Sequence, residues 1–177
     1  MTSANRIALA ASAALVVASE GSDPAEPGVP QANNIDISRA DGAGIPFAPS
    51  VWVWCGPWEE GEVPEPTVHV LVGSQESRWE FRVVRRDVRI GEPLSFPNTF
   101  IWNEPKGADM FVHDPPNELS TQTANTTGAV IIEQLDCSPD GGIRFTVEAI
   151  VGSEFGDLPP VTVTGNFSSP WTGPPGM

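Results

Sequence analysis

The chain has 177 residues, a formal net charge of −14 and a single lysine, Lys106. An acidic surface repels phosphate backbones and anionic membranes, which argues against nucleic acid as a partner. Nineteen prolines and 17 glycines interrupt the chain every few residues and disfavour long helices, while the 40% of apolar residues suffices for one core.

The N-terminus reads as a targeting segment. Met1 to Arg6 is a short polar start with one positive charge, and Ile7 to Ala18 is small and apolar apart from Ser12. Twelve helical residues rise about 18 Å, against about 30 Å of bilayer core, so the run is too short for a transmembrane span. It fits the apolar centre of a signal peptide over 1–18, with Val16 and Ala18 as the small residues before a cut; the alternative is a buried N-terminal helix. The run Leu15-Val16-Val17-Ala18-Ser19, followed by Glu20-Gly21-Ser22-Asp23, resembles the start of bacterial lipoproteins and secretory proteins. In lipoproteins a cysteine follows the small-residue box. Glu20 stands in its place, and a carboxylate forms no thioether, so the resemblance implies export without the lipid.

Residues 19–49 read as a flexible tether rich in Pro and Gly. Ile35 and Ile37 alternate with Asp36 and Ser38, which allows a short edge strand there. The body is expected at 50–171, with 172–177 as a C-terminal tail.

Alternation of apolar and polar residues predicts strands through the body. Val51, Val53 and Cys55 share one face, with Trp52 and Trp54 on the other. Further strands are expected at Thr67 to Val72, Trp79 to Val83, Phe100 to Trp102, Ala129 to Leu135, Ile143 to Ala149 and Val161 to Phe167, with a bulge at Gly165. Ser138-Pro139-Asp140-Gly141-Gly142 is a hairpin turn. Seven or eight short strands without a helical stripe predict an antiparallel β-sandwich, or alternatively a small β-barrel. The closing strands, with Gly-Ile-Arg-Phe-Thr-Val and Val-Thr-Val-Thr-Gly-Asn-Phe, resemble the final hairpins of exported bacterial β-domains, a group with no single function.

Cys55 and Cys137 are the only cysteines. In an exported chain an even pair reads as one disulfide, tying an early strand to a late one; two buried thiols are the alternative.

Two features invite a binding role. Trp52, Trp54 and Trp58 cluster in Val51 to Trp58, and rings two residues apart on one strand face can stack on sugar rings. The same rings can equally lie under a loop or in a second core. Arg78, Arg82, Arg85, Arg86 and Arg89 form a basic run, with Arg82 and Arg86 on one strand face as candidate anion contacts. Pairing with the chain's own acids, such as Glu59, Glu60, Glu62 and Glu65, is the plainer expectation. His69 and His113 match no compact metal motif, Asp136 and Asp140 lack the pattern of a calcium loop, and no cofactor motif is present. No catalytic motif appears either, and Glu133 or Glu148 as glycosidase acids rest on composition alone.

The sequence thus predicts a monomeric, exported, non-enzymatic β-domain of the cell envelope or the secreted fraction, with a binding or structural role and a glycan or envelope protein as candidate partner. A carbohydrate-binding module with a tryptophan platform is the alternative, and a cryptic hydrolase the third reading.

Overall fold

The computed structural model describes residues 31–56, 67–74, 76–97, 107–115, 117–120, 123, 125–153 and 158–174. The described residues form ten antiparallel strands and one 3-10 turn, with no α-helix. The strands are β1 (Ala32–Ser38), β2 (Val51–Gly56), β3 (Thr67–Gly73), β4 (Arg78–Val84) and β5 (Pro93–Phe96). They continue with β6 (Ala108–Asp114), β7 (Asn117–Ser120), β8 (Thr127–Asp136), β9 (Gly142–Ser153) and β10 (Val161–Pro170).

The sheet runs β1-β10-β9-β7-β6-β4-β3-β2, with β8 beside β9 and β5 beside β8. It curls into two facing layers that share β9. One edge of β9 bonds β8 from Gly142 to Ile150 and then β7 at Gly152 and Ser153. This strand therefore leaves one layer and enters the other at its last turn of pleat, as corner strands do. Gly152 suits the corner: a Cβ there would sit 2.5 Å from the Thr123 hydroxyl, and its N–H donates to Thr126 Oγ1 at 3.0 Å.

Period-2 alternation sends one face of each layer inward. Val53, Val70, Trp79, Phe81 and Met110 from one layer meet Val130, Ile132, Phe145, Val163 and Phe167 from the other, all buried. The rings mesh across the interface. Phe81 lies 4.6 Å from Phe145, Phe145 stacks on Phe167 at 5.3 Å, and Trp79 meets Phe167 edge-on at 5.6 Å.

The Cys55–Cys137 disulfide joins the end of β2 to the end of β8, hence one layer to the other. Two further contacts close the same end of the fold. Trp171 donates its indole N–H to the Asp136 carbonyl at 2.7 Å. Thr172 and Gly173 donate their N–H groups to the Val53 carbonyl at 2.8 and 3.1 Å, and Val53 N–H returns a bond to Thr172 Oγ1 at 2.8 Å. The segment expected to be a tail thus covers the free edge of β2 at its middle.

The sandwich-like all-β architecture and the disulfide follow the sequence expectation. So do β2, β3, β4, β8, β9 and β10 and the turn after Asp136. There, Asp136 accepts the Ser138 N–H and hydroxyl, both at 2.9 Å, which holds its carboxyl below the usual range. Three strands, β5, β6 and β7, were not anticipated: β5 and β7 are four residues each, and in β6 the apolar Phe111 interrupts the polar parity of Asp109 and His113. The expected strand at Phe100 to Trp102 lies outside the described residues. β1 is the short strand allowed by Ile35 and Ile37; it pairs with β10 over its whole length and draws 32–38 into the sheet.

Gly165 is not a bulge. Its register with β1 and β9 is unbroken, and the bulge lies in β8 between Ile132 and Gln134. Gly165 is instead required by a φ of 130° and by the Asn34 carbonyl, which packs against the place a Cβ would take.

Candidate functional site

The outward face of the β2-β3-β4-β6 layer is where the sequence and the structure part company. An outward face normally carries solvated polar residues, and the alternation of Glu80 and Arg82 with Trp79, Phe81 and Val83 suggests as much. Yet Glu80 is 8%, Arg82 5%, His69 1% and Asp109 1% exposed. Register explains their company: Trp54, His69, Arg82 and Asp109 stand side by side across four strands. The next row holds Trp52, Leu71, Glu80 and Phe111.

These groups pair with one another. Arg82 Nη2 donates to Asp109 Oδ2, and Ser120 donates its hydroxyl to Asp109 Oδ1 at 3.4 Å. Arg78 Nε donates to Glu80 Oε1 at 2.6 Å. Both ion pairs therefore cancel their charge locally. A buried carboxylate or guanidinium survives only when paired and hydrogen-bonded, which is the state seen here.

His69 is the link between this row and the tryptophans. Its ring stacks on Trp54 with centroids 4.6 Å apart and planes 9° from parallel. Its Nε2 lies 3.2 Å from the Gly56 carbonyl, so the ring is held from β2 as well as β3. Burial lowers its pKa to about 4, with the Arg82 charge adding to that and the Gly56 bond opposing it. At neutral pH the imidazole is uncharged.

Trp52 and Trp54 are both half-buried, on the same face of β2 and about 7 Å apart along the strand. Leu71 and Phe111, also half-buried, flank Trp52 in its row. The result is a partly open apolar strip beside a charge-neutral polar bed. Trp58, the third ring of the expected platform, lies outside the described residues.

The arginine run divides. Arg82 is buried against Asp109 and does not reach solvent. β4 ends at Val84, and Arg86 belongs to the 3-10 turn Arg85–Asp87, so the two do not share a strand face. Arg86 is exposed and 3.8 Å from Asp87. The acidic run from Glu59 to Glu65 lies outside the described residues.

The two glutamates considered as glycosidase acids are on the outward face of the other layer. Glu148 is opposite Ala129 and lines a trough of about 570 Å³ with Thr127, Ile131, Thr146 and Ile150. Glu133 accepts the Thr146 hydroxyl at 2.7 Å and sits four residues along β8 from Ala129. That offset is roughly 13 Å of strand, well beyond the separation of a glycosidase pair. Among the described residues no three His, Cys, Asp or Glu side chains converge as metal ligands, and Asp136 already binds Ser138.

Sequence reasoning reached the two tryptophans but not Asp109, Ser120 or the role of His69. Their meeting depends on strand pairing across long connections. One signal was available: aligning Val51–Cys55 against Thr67–Val72 in antiparallel register places Trp54 opposite His69.

No protein-family model matches the chain, and neither a curated protein nor a solved structure matches it.

Proposed function

We propose that this protein is an exported, non-enzymatic binding domain whose ligand contacts are Trp52 and Trp54 on the outward face of β2, and whose ligand offers flat apolar faces of the kind found on sugar rings. The half-buried placement of both rings on one strand face, away from the core, carries this reading. Aromatic faces in partial contact with water are favourable stacking surfaces. Export is supported by the Cys55–Cys137 disulfide, which belongs to an oxidising compartment, and by the apolar run Ile7 to Ala18. Among the described residues no helix is long and apolar enough to cross a membrane. A role in the cell envelope or in the secreted fraction fits both supports. The absence of catalytic motifs in the sequence and the burial of His69 favour binding over hydrolysis.

Tryptophan fluorescence across a panel of soluble polysaccharides tests the proposal. Binding is expected to quench or shift the emission of the wild type, and Trp52→Ala and Trp54→Ala are each expected to weaken it by about tenfold or more, the size of one lost stacking contact. A response that survives both substitutions would place the ligand elsewhere.

A further inference from the structure

We propose that the trough on the outward face of β8, β9 and β10 is a second binding site, and that it takes a small organic cation: a primary ammonium carried on an apolar arm. The trough lies on the layer opposite Trp52 and Trp54 and does not depend on the stacking reading.

Strand register builds it. Ala129 stands opposite Glu148, Ile131 opposite Thr146, and Thr127 opposite Ile150. On β10, Thr164 continues the row of Glu148, and Thr162 the row of Ile150. All of these side chains leave the sheet on the face away from the core. Their sizes shape the hollow. Ala129 and the threonines are short, while the isoleucines stand at its two ends, and the space between is about 570 Å³. A volume of that size suits a small molecule.

Two properties of the hollow define what fits. The first is apolar surface. Ile131 is 38% and Ile150 43% exposed, and with Ile90 they are the large hydrophobic side chains left exposed among the described residues. One exposed isoleucine is ordinary; two at the ends of one hollow form a contact surface. The second property is charge. Glu148 projects between the isoleucines, and among the described residues its carboxylate has no hydrogen bond or ion pair. Its neighbours on the face are already engaged. Glu133 accepts the Thr146 hydroxyl at 2.7 Å, and Arg144 donates to Gln134 Oε1 at 2.5 Å. Arg144 also lies four residues along β9 from Glu148, roughly 13 Å of strand. The trough thus keeps one unanswered negative charge in a chain of net charge −14, and such a field draws cations and repels anions.

Spacing sets the length of the ligand. Ile150 is two residues along β9 from Glu148, about 7 Å away. Ile131 is the diagonal neighbour of Glu148 on β8, about 7–8 Å away. A cation seated on Glu148 therefore reaches either isoleucine through an arm of that length. An exposed ion pair is weak in water, and so is one small apolar contact, so the ligand must supply both.

The test uses three probes with one body and three charges: 4-phenylbutylamine, 4-phenylbutanol and 4-phenylbutyrate. Each is titrated into protein labelled at its isoleucine and alanine methyl groups, and the NMR shifts of Ile131, Ile150 and Ala129 are followed. The amine is expected to move these resonances saturably, with a Kd about threefold to fivefold below that of the alcohol, the size of an exposed ion pair, and the butyrate is expected to bind most weakly. Glu148→Gln is expected to bring the amine to the affinity of the alcohol and to leave the alcohol unchanged. Ile150→Thr, which keeps a β-branched residue in the strand, is expected to weaken amine and alcohol alike by about threefold. An amine that binds the wild type no more tightly than the alcohol, or that keeps its advantage in Glu148→Gln, would overturn the cationic ligand. Shifts that spare Ile131 and Ile150 up to roughly 10 mM amine would overturn the trough as a site. The charge series is read on the wild type alone, so it decides the ligand class whether or not the variants fold.

Discussion

A histidine beside an arginine in a buried row is a titration problem as well as a packing one. His69 has its pKa lowered from 6.5 to about 4, chiefly by desolvation. The unfolded chain therefore takes up this proton before the folded protein does. The stability contributed by keeping the ring neutral is complete above pH 6.5 and is lost as the pH falls through the window down to about 4. A shift of this size corresponds to about 3 kcal/mol. Urea denaturation of the wild type and His69→Phe at pH 7 and pH 4 checks this: the wild type is expected to lose more stability than the variant between the two pH values, by about that amount. Equal losses would mean that carboxylates alone govern acid sensitivity. The neighbouring Arg82–Asp109 pair has a different character. The pair persists because each ion would be costly if left alone in the layer. The residue scale thus accounts for why polar groups survive on a face that the alternation of β4 suggests is wet.

At the scale of elements, the edges of the curl carry the main structural devices. β1 is a terminal strand, and an uncovered terminal strand invites pairing with another chain. Two features blunt it. The Asn33 side chain accepts the outward N–H of Ile35 at 3.4 Å, and the chain turns back after Ser38 so that Ile45 N–H donates to the Ile37 carbonyl at 2.8 Å. β2, the terminal strand at the other end, is covered by Thr172 and Gly173. β1 itself is held by β10, and at Gly165 the Asn34 carbonyl occupies the space of a Cβ. Gly165→Ala adds that Cβ to a backbone with φ of 130°, so β1 is expected to be pushed off β10. The expected cost is about 1–3 kcal/mol or more, and amide hydrogen exchange is expected to quicken in Ala32–Ser38 before it does in β9. Unchanged protection of β1 would show that the two strands part and re-form without strain.

For the whole molecule, the disulfide spans 82 residues and ties the two layers at the end where Trp171 and Thr172 also bind. Chain entropy assigns a closure of that length about 4.5 kcal/mol. The Cys55→Ala/Cys137→Ala double variant is expected to lose about that amount in chemical denaturation, and the intact mass of the wild type is expected to rise by two hydrogen atoms on reduction. A double variant of unchanged stability would place the closure in the Trp171 and Val53 contacts instead. Much of this molecule was legible from residues alone. Strict alternation in Ile143 to Ala149 and Val161 to Phe167 gives their inward and outward faces at once, because a strand has period two wherever it lies. Two cysteines leave one possible bond, and Pro139 to Gly142 leave one kind of turn. Trp52 and Trp54 separate from Val51, Val53 and Cys55 by the same parity. What the residues alone left open was whatever depends on which strands become neighbours. β5 and β7 are four residues each and take their shape from the strands beside them, and the phase of β6 is masked by Phe111 on its otherwise polar parity. Arg82 looks like a solvent-facing cation until β6 sets Asp109 beside it, and His69 looks like an isolated histidine until β2 lays Trp54 over it. Side-chain parity is local and is written in the chain; register between strands far apart in sequence is decided only when the two layers close on their shared core.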